Sequence, residues 1–431
     1  MKKDFGIIGS GPAGYTAAIR AAQLGKSVVL FEKENLGGTC LNKGCIPTKA
    51  FLHCADIYKS LKKMSNLGIN VENYSFDFEK IAQRKEKTVE KLRKSLEMLL
   101  KSYEIEIVLS EAKIIENAKM QKCIEANGET YECEHVLIAT GAEPKCAGGF
   151  EFDHDFILSS DDVLNLTKLP QKVLIAGSGA IGIEWARIFS AFEVETAIVE
   201  IADRLLPLAD IKISQRLERI FKMSRIKMFL STSIKNIQDN KVTLSTGEIL
   251  EPDFVLFATG RGGINILNAE NLPKIGDCFG SIQLAHFASH QGVNVVNKLV
   301  LGEEEKNFIV PSVVYGSPEI AWGGVNEEEL ITKGIPFKKS VFPFSALGKA
   351  HADGELEGFV KILSDKEGNI LGVHIIGQEA SALVHQITIA MQNGIKVKDL
   401  KHCCFAHPTY SEGIYESLLG LDNESFSLLK G

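Results

Sequence analysis

Two glycine-rich segments with the same internal spacing constrain the fold of this chain more than any other feature. The first follows a short apolar stretch, FGIIG, places glycines at Gly9, Gly11 and Gly14, and is followed by a helical pattern and a second apolar stretch that ends at Glu32. In such a unit the first glycine permits a tight turn, the second lets the backbone approach a pyrophosphate, and the third lets helix and strand pack closely. We therefore expect a dinucleotide at the helix N-terminus, with Glu32 hydrogen-bonded to a ribose hydroxyl.

The second segment repeats this pattern in the middle of the chain, at Gly177, Gly179 and Gly182, and its acid is Glu200. The interval from first glycine to acid is the same in both copies, residues 9 to 32 and 177 to 200. Each unit is followed by an apolar strand that ends in Ala-Thr-Gly, the second of them at Gly260. Two matched copies predict two dinucleotide sites. The Glu200 carboxylate would accept a hydrogen bond from a free ribose 2′-hydroxyl and repel a 2′-phosphate, which favours NAD over NADP.

Length and composition narrow the class of protein. A chain of 431 residues suggests about three domains, and a net charge of −7 without a basic run argues against a nucleic-acid partner. No apolar stretch is long enough to span a bilayer, and the short FGII run after MKKD does not make a signal peptide. Nine unevenly spaced cysteines do not resemble a secreted disulfide framework, so we expect a reducing cytoplasm. The two strand–turn–helix–strand motifs predict an α/β fold with two Rossmann-like domains.

The segments between and after the two repeats have other patterns. Residues 78–101 form an amphipathic pattern that predicts a long helix, either packed on the first domain or exposed to a partner. Residues 225–250 alternate as strands do. From residue 306 onward, a strand pair that turns at 366–369 and the helical pattern SALVHQITIAMQNG predict a third domain of mixed α and β structure.

The stretch GGTCLNKGCIPTK, residues 37–49, contains two cysteines, Cys40 and Cys45, and ends at Lys49. A pair at this spacing is a redox couple or half of a metal site, and no second Cys or His pair lies nearby at ligand spacing. Two dinucleotide sites indicate electron transfer between a flavin and a nicotinamide, which can continue to a disulfide. The cysteines would then cycle between dithiol and disulfide, and the lysine would lie one helical turn further on.

With these motifs the chain resembles the pyridine nucleotide-disulfide oxidoreductases, and within them the branch that oxidises dihydrolipoamide. GGTCLNKGCIPTK is similar to the active-site motif of the family, IGDCFGSIQLAHFASHQG to its second flavin motif, and VVYGSPEIAWGGVNEEEL with CCFAHPTYSE to its dimerisation domain. The resemblance implies a homodimer with bound FAD and with NAD as partner, acting on the lipoyl group of a 2-oxo acid dehydrogenase or glycine cleavage complex. It implies an FAD domain at 1–145 and 263–305, an NAD domain at 146–262 and an interface domain at 306–431.

The same resemblance assigns roles at the redox centre. Cys40 would exchange with the substrate disulfide, and Cys45 would be the charge-transfer thiol beside the flavin. Lys49 would lie by the flavin ring, paired with Glu184 of the nicotinamide half. His407 and Glu412 complete the set of catalytic residues. His407 would be the acid-base group, oriented by Glu412, and both would reach the cysteines of the neighbouring subunit.

Three further positions would contact FAD. Asp277 would hold the ribityl chain, the backbone at Ala285 would approach the flavin, and Ala112 would contact the adenosine. Cys403 and Cys404 are a vicinal pair well inside the chain, and we expect them to be packing residues. The remaining cysteines receive no role.

The chain departs from the family pattern in two places. The connection between Arg261 and Asp277 is shorter than in relatives, and Pro273 stands in its apolar lead-in, where a proline suits only an edge or a strand start. Phe405 occupies a position near the substrate channel where relatives often have a histidine. The alternatives are therefore a reductase of another disulfide, or a catalytically impaired flavoprotein with a binding role.

Overall fold

The computed structural model describes residues 1–116, 122–280 and 282–427. Short 3-10 turns lie at Met64–Leu67, Val163–Asn165, Gly276–Cys278 and Phe344–Ala346. The α-helices of the described residues are α1 (Pro12–Gln23), α2 (Gly38–Lys43), α3 (Cys45–Leu61), α4 (Phe78–Ser102), α5 (Ala180–Ala191), α6 (Ile211–Met223), α7 (Ala285–Leu301), α8 (Glu327–Thr332), α9 (Gly348–Asp353), α10 (Ala380–Gln392), α11 (Val397–Lys401) and α12 (Glu412–Gly420).

The strands of the described residues are β1 (Lys2–Ile8), β2 (Val28–Glu32), β3 (Glu106–Leu109), β4 (Lys113–Glu116), β5 (Lys122–Ala126), β6 (Glu129–Ile138), β7 (Ala142–Pro144), β8 (Ile157–Leu158), β9 (Lys172–Ala176), β10 (Glu195–Val199), β11 (Lys227–Phe229), β12 (Ile234–Gln238), β13 (Lys241–Leu244), β14 (Ile249–Leu250), β15 (Phe254–Phe257), β16 (Arg261–Gly263), β17 (Ser312–Val314), β18 (Glu319–Gly324), β19 (Lys338–Pro343), β20 (Phe359–Ser364) and β21 (Ile370–Gly377).

The chain divides into two compact units. The first comprises Met1–Cys54, Asn73–Leu169 and Leu256–Asn307, and the second comprises Ala55–Glu72, Pro170–Val255 and the residues from Phe308 onward. Compactness alone gives two units, so the three-domain division with boundaries at 145, 262 and 305 stays a prediction.

The first unit is built on a sheet with strand order β3-β2-β1-β6-β5-β4. Strands β1, β2, β3 and β6 run parallel, and β4, β5 and β6 form an antiparallel meander. Helices α1 and α7 pack closely together because the contact position on α7 is a glycine. A Cβ atom on Gly292 would lie 2.4 Å from the carbonyl oxygen of Ala13. The two helices therefore touch near the start of α1, directly after the first glycine motif.

The second unit contains the other glycine repeat and a separate antiparallel sheet. Strands β9, β10 and β11 run parallel, and α5 follows β9 directly. Strands β12, β13 and β14 form a small antiparallel sheet. The larger sheet has the order β17-β18-β21-β20-β19, and all its pairs are antiparallel. Helices α10 and α12 cover it and form one core with its buried residues, so every position of β20 is buried.

Several local predictions are confirmed. The helix expected at 78–101 is α4, whose polar surface is largely exposed. The strands expected within 225–250 are β11 to β14, the strand pair around 366–369 is β20 and β21, and the following helix is α10. None of the helices in the described ranges is long and apolar enough to cross a membrane.

The shortened connection before Asp277 is packed into the first unit. The Pro273 carbonyl accepts a hydrogen bond from the Ile138 N–H at 2.9 Å, and the Ile275 N–H donates to the Ile138 carbonyl at 2.9 Å. The proline therefore uses only its carbonyl, and its missing N–H costs no ladder bond. Ala269 is fully buried in the same segment. The segment thus pairs in parallel with the end of β6 at Ile138 in spite of its reduced length.

Candidate functional site

The first glycine motif forms the turn that its spacing predicts. Gly9 has a φ of +103°, a conformation that side chains disfavour, and a Cβ on Gly14 would lie 1.8 Å from the Gly9 carbonyl oxygen. Gly11 is the N-cap of α1, and the nearest atom to a Cβ there would be the Gly38 Cα at 3.9 Å. Gly9 and Gly14 are thus required by the turn and its packing. Gly11 leaves open space in front of the backbone N–H groups at the start of α1. This arrangement fits a dinucleotide pyrophosphate.

The acid at the end of β2 closes this turn, a role that the sequence did not reveal. Glu32 accepts hydrogen bonds through Oε2 from the Ser10 N–H at 3.1 Å and the Ser10 hydroxyl at 2.6 Å. Its Oε1 accepts from the Glu34 N–H at 2.9 Å. The Ser10 hydroxyl oxygen in turn accepts from the Gly37 N–H at 3.1 Å. Glu32 therefore ties the phosphate loop to the start of the cysteine segment, and its ribose contact stays a prediction.

The second motif repeats this geometry within the second unit. Gly177 has a φ of +98°, a Cβ on Gly182 would lie 2.1 Å from the Gly177 carbonyl oxygen, and no atom lies within 4 Å of a Cβ on Gly179. Glu200 accepts through Oε2 from the Ser178 N–H and hydroxyl, both at 2.7 Å. Two dinucleotide loops of the same construction are therefore present, one in each unit.

The cysteine segment packs directly on the first phosphate loop. Gly38 has a φ of +59°, and a Cβ there would lie 2.6 Å from the Gly11 Cα. The segment continues as α2, which carries Cys40, and as α3, which begins at Cys45. The glycine pair before the first cysteine therefore brings the cysteine loop against the turn that would hold a dinucleotide. It also places Cys45 at the positive end of a helix dipole, which favours a thiolate.

Cys40 and Cys45 are both in the thiol form, and their side chains are hydrogen-bonded to each other. The hydrogen bond with Cys45 raises the pKa of Cys40 strongly, burial and the charge of Cys45 add to the increase, and the charge of Lys49 opposes it. Tyr15 of α1 lies near both thiols. Burial raises the pKa of Tyr15, and the charges of Cys40 and Cys45 contribute. Ionisation of one thiol therefore disfavours ionisation of the other, and the positive charge of Lys49 stabilises the thiolate that forms.

The other positions expected to contact FAD lie in the same unit. Asp277 belongs to the 3-10 turn after the shortened connection, and burial raises the pKa of its carboxyl while the charge of Arg261 lowers it. Ala285 is the first residue of α7, so backbone N–H groups are available there. Ala112 is buried in the loop between β3 and β4. Gly260, which was expected to close the second dinucleotide motif rather than to contact FAD, also falls in the first unit. It has a φ of +106°, and its carbonyl accepts from the Lys145 N–H at 3.0 Å. The cofactor contacts of these four residues stay predictions.

Glu184 lies in α5 of the second unit, buried to 3% exposure. Its Oε1 accepts a hydrogen bond from the Tyr315 N–H at 3.0 Å. Lys49 belongs to the first unit. Their pairing therefore stays a prediction.

The structure brings His407 and Glu412 together at the start of α12. The His407 Nδ1 lies 2.8 Å from the Glu412 Oε1, and the Glu412 Oε2 accepts from the Thr409 N–H at 2.8 Å. The histidine side chain is 74% exposed. With Nδ1 engaged by a carboxylate, the favoured neutral tautomer leaves Nε2 as a proton acceptor. The pair is therefore built to accept and return a proton at Nε2.

One expectation about the cysteines is wrong. Cys403 and Cys404 are both exposed rather than packed, and they lie in the irregular segment that follows α11. The residues missed from sequence are Ser10 and Ser178. The signal was present, since a serine follows the first glycine of each repeat and both repeats end in glutamate.

Comparison with protein families gives two matches. The family described as pyridine nucleotide-disulphide oxidoreductase matches residues 3–274, and its dimerisation domain matches residues 310–418.

Individual relatives match over nearly their whole length. Among them, a dihydrolipoyl dehydrogenase of Bacillus subtilis is 34% identical and covers 98% of both chains. The dihydrolipoyl dehydrogenase of Chlamydia trachomatis is 35% identical over 96% of both. The HOCl-induced flavoprotein disulfide reductase RclA of Escherichia coli is similar in structure, with a TM-score of 0.83, 26% identity, and coverage of 99% of this chain and 100% of the other.

Proposed function

Because the chain belongs to the pyridine nucleotide-disulphide oxidoreductase family, we propose that it oxidises dihydrolipoamide with NAD⁺ through Cys40 and Cys45. It is an FAD-dependent disulfide oxidoreductase that uses NAD(H). The observation that carries the proposal is the dithiol at the N-terminus of α3, packed on the first glycine loop. A redox pair in this place is adjacent to any dinucleotide bound there.

The residues present fit both cofactors. FAD would lie on the first glycine loop, with its pyrophosphate before α1, and NAD(H) on the second loop, before α5. When bound, the flavin supplies hydride exchange with the nicotinamide and two-electron exchange with a disulfide. Glu200 has both carboxylate oxygens in use within the chain, since Oε1 also accepts from the Ala202 N–H at 2.8 Å. Its negative charge still opposes a 2′-phosphate, which supports NAD.

The cysteine chemistry balances in atoms and electrons. One sulfur of dihydrolipoamide attacks Cys40 of the Cys40–Cys45 disulfide, so that a substrate–Cys40 bond forms and Cys45 leaves as a thiolate. The second substrate sulfur then attacks the first, which closes the lipoamide ring and releases Cys40. Two electrons have moved from the substrate to the cysteine pair, and the pair is left as the dithiol seen in the structure.

Each attacking substrate thiol must lose its proton first, which is the role proposed for His407. Its Nε2 accepts the proton, and the Glu412 carboxylate on Nδ1 stabilises the imidazolium that forms. In the reverse direction the same nitrogen returns a proton to the leaving thiolate. We further propose that His407 and Glu412 serve the cysteines of a second subunit in a homodimer, which the match to the dimerisation domain supports.

The substrate and setting are inferred from the relatives. The relatives described above are dihydrolipoyl dehydrogenases, which supports a lipoyl group as substrate. We propose from the sequence resemblance that this group belongs to a 2-oxo acid dehydrogenase or glycine cleavage complex, and from the cysteine usage that the protein acts in the cytoplasm. A reductase of another disulfide is the second candidate. The observation that favours it is Phe405, which lies two residues before His407, where relatives often have a histidine, and whose ring packs against the Tyr415 ring.

The test is an anaerobic titration of the FAD-containing protein with NADH, followed by addition of lipoamide. The expected result is a long-wavelength charge-transfer band that disappears when lipoamide is added. A Cys45→Ser variant should lack the band. Its matched control, Cys404→Ser, changes an exposed thiol outside the proposed site and should keep it.

Three results would contradict parts of the proposal. If the band persists after lipoamide is added, the disulfide chemistry stands but lipoamide is not the substrate. If Cys45→Ser still shows the band, Cys45 is not the charge-transfer thiol. Failure of the folded protein to take up FAD would favour the non-catalytic alternative.

A further inference from the structure

Arg93 is a charged residue of α4 that the proposed reaction does not use. Its neighbour Lys94 pairs along the helix with Glu90, at 2.6 Å. Arg93 instead reaches out of the helix, and its Nε donates a hydrogen bond to the Asn42 Oδ1 at 3.0 Å, across 51 residues of the chain. Both partners lie in the first unit, and the asparagine stands two residues after Cys40. The guanidinium therefore acts on the segment that carries the first thiol of the redox pair.

The Asn42 side chain connects α4 with the backbone on both sides of the glycine pair before Cys40. Its Nδ2 donates to the carbonyls of Leu36 and Gly38, both at 2.9 Å. A guanidinium can only donate, so the amide oxygen has to face Arg93 and the amide NH₂ group has to face the carbonyls. Arg93 thus fixes the orientation in which Asn42 holds the backbone. We call these three hydrogen bonds the Arg93–Asn42 bridge.

The helix that carries Cys40 is too short to be stable by itself. It has six residues, Gly38–Lys43, whereas helices shorter than about 12 residues are marginal in water on their own. Its N-cap is Gly37, with a φ of +97°, and a glycine has no side chain with which to cap the first turn. α2 therefore depends on contacts from outside the helix. The Arg93–Asn42 bridge supplies such contacts, because it ties α2 to α4 and to the chain before it.

The position of α2 determines how the two thiols meet. Cys40 lies in α2, Cys45 begins the longer helix α3, and Gly44 alone separates the two helices. The Cys40 side chain is hydrogen-bonded to both the side chain and the backbone of Cys45. A disulfide requires the two sulfurs to approach to about 2 Å. Any freedom of α2 is therefore freedom of one sulfur relative to the other, and it lowers the effective concentration of the two thiols for each other.

We propose that Arg93, acting through Asn42, is a positioning residue that sets the reduction potential of the Cys40–Cys45 pair. The inference rests on the proposed function, in which this pair cycles between dithiol and disulfide. In the disulfide the S–S bond itself restrains α2. In the dithiol α2 is restrained by the Arg93–Asn42 bridge and by the weak hydrogen bond between the thiols. Loss of the bridge therefore adds freedom mainly to the dithiol and favours it over the disulfide.

The test measures the equilibrium of the cysteine pair rather than turnover. The FAD-containing protein is equilibrated anaerobically with mixtures of reduced and oxidised dithiothreitol, so that two electrons and two protons pass between buffer and protein for each disulfide formed or opened. Acid quenching, alkylation and mass spectrometry of the peptide then give the ratio of dithiol to disulfide. Arg93→Met is measured alone and together with Asn42→Ala. Lys94→Met is the matched control, because it removes a positive charge from the next position of α4.

At a fixed buffer composition, Arg93→Met should raise the ratio of dithiol to disulfide by about threefold or more, at the lower end of coupling between residues in one network. Asn42→Ala should raise the ratio as well, because it removes the same bridge. In that background Arg93→Met should add nothing further. Lys94→Met should leave the ratio at the wild-type value.

The opposite results separate the possible failures. An unchanged ratio in Arg93→Met, with or without a lowered melting temperature, would make Arg93 a packing residue. An equal rise from Lys94→Met, or a further rise from Arg93→Met in the Asn42→Ala background, would mean that Arg93 does not act through Asn42. A wild-type protein that forms no Cys40–Cys45 disulfide in the most oxidising buffer would instead refute the proposed function, so the two failures are distinguishable.

Discussion

Replacement of Glu412 by glutamine tests the proton-transfer pair with the smallest change in shape. In the structure both carboxylate oxygens are used, Oε1 by the His407 Nδ1 and Oε2 by the Thr409 N–H, each at 2.8 Å. A glutamine has only one acceptor oxygen. If the oxygen faces His407, the NH₂ group faces the Thr409 N–H, and two donors oppose each other. If the amide is turned round, the imidazole loses its acceptor at Nδ1 and with it the favoured tautomer.

The magnitude follows from the bond that is lost. A hydrogen bond to a charged group contributes about 1.5–3 kcal/mol, and here that stabilisation is greatest when the imidazole is protonated. Because each 1.4 kcal/mol is a factor of ten, we expect disulfide reduction to slow by about 10- to 150-fold. Transfer of electrons from NADH to an artificial acceptor that takes them from the flavin needs neither His407 nor the cysteines. That diaphorase rate should stay near the wild-type value.

The assay compares the two rates in one preparation, NADH-driven lipoamide reduction and NADH-driven dye reduction. Glu416→Gln is the matched control, because Glu416 lies in the same helix and accepts from Ser425 and the Phe426 N–H. It should leave the ratio of the two rates unchanged. Equal loss of both rates in Glu412→Gln, or an unchanged lipoamide rate, would refute the reasoning.

Three further changes test other parts of the structure. Lys361→Met leaves the fully buried Asp210 carboxylate without its cation at 2.6 Å, so urea unfolding should show a loss of about 3–5 kcal/mol, and adding Asp210→Asn should recover at least about 1 kcal/mol. Burial lowers the pKa of His374, so only the unfolded chain takes up its proton as pH falls through the ordinary value of 6.5. The free energy of unfolding should therefore fall below that pH, by up to about 1.4 kcal/mol per pH unit, and a smaller slope in His374→Gln checks the assignment. Glu200→Gln should weaken NADH binding by loosening Ser178, and it should lower the preference for NADH over NADPH because it removes the charge that opposes a 2′-phosphate. Titration of nucleotide fluorescence measures both affinities, and an unchanged preference would contradict the reasoning.

Local patterns allowed much of the fold to be predicted. The glycine repeats, α4 and the β20–β21 pair each depend on residues close together in sequence, where period, turn residues and spacing determine the outcome. Long-range polar contacts were not predictable in this way. Lys361 and Asp210 are 151 residues apart, and nothing in either segment distinguishes a buried charge from an exposed one. The same holds for Arg187, whose Nη1 donates to the Tyr315 carbonyl at 2.7 Å across 128 residues of the chain.

The exposure of Cys403 and Cys404 likewise could not be predicted from the sequence. Residue type favours burial for cysteine, but Cys403 and Cys404 follow the short helix α11 in a turn, and the position of a turn on the surface depends on the packing of its neighbours. The parts of the candidate site whose geometry could be anticipated were those in short motifs, namely the glycine turns and the contact between Cys40 and Cys45. The pairing of His407 with Glu412 could also be anticipated, because both lie within six residues of the chain.

The acids Glu32, at the end of β2, and Glu200, directly after β10, have a structural role that the sequence motif does not reveal. From sequence, Glu32 and Glu200 had one task, to bind a ribose. In the structure each accepts from the N–H and hydroxyl of the serine after the first glycine, so each also shapes the phosphate loop. The acid at this place is therefore required by the loop before any nucleotide arrives. Because the Glu200 carboxylate is held by those donors, its charge keeps a fixed place, and in the proposed NAD(H) site the discrimination against a 2′-phosphate would follow from the same bonds that build the turn.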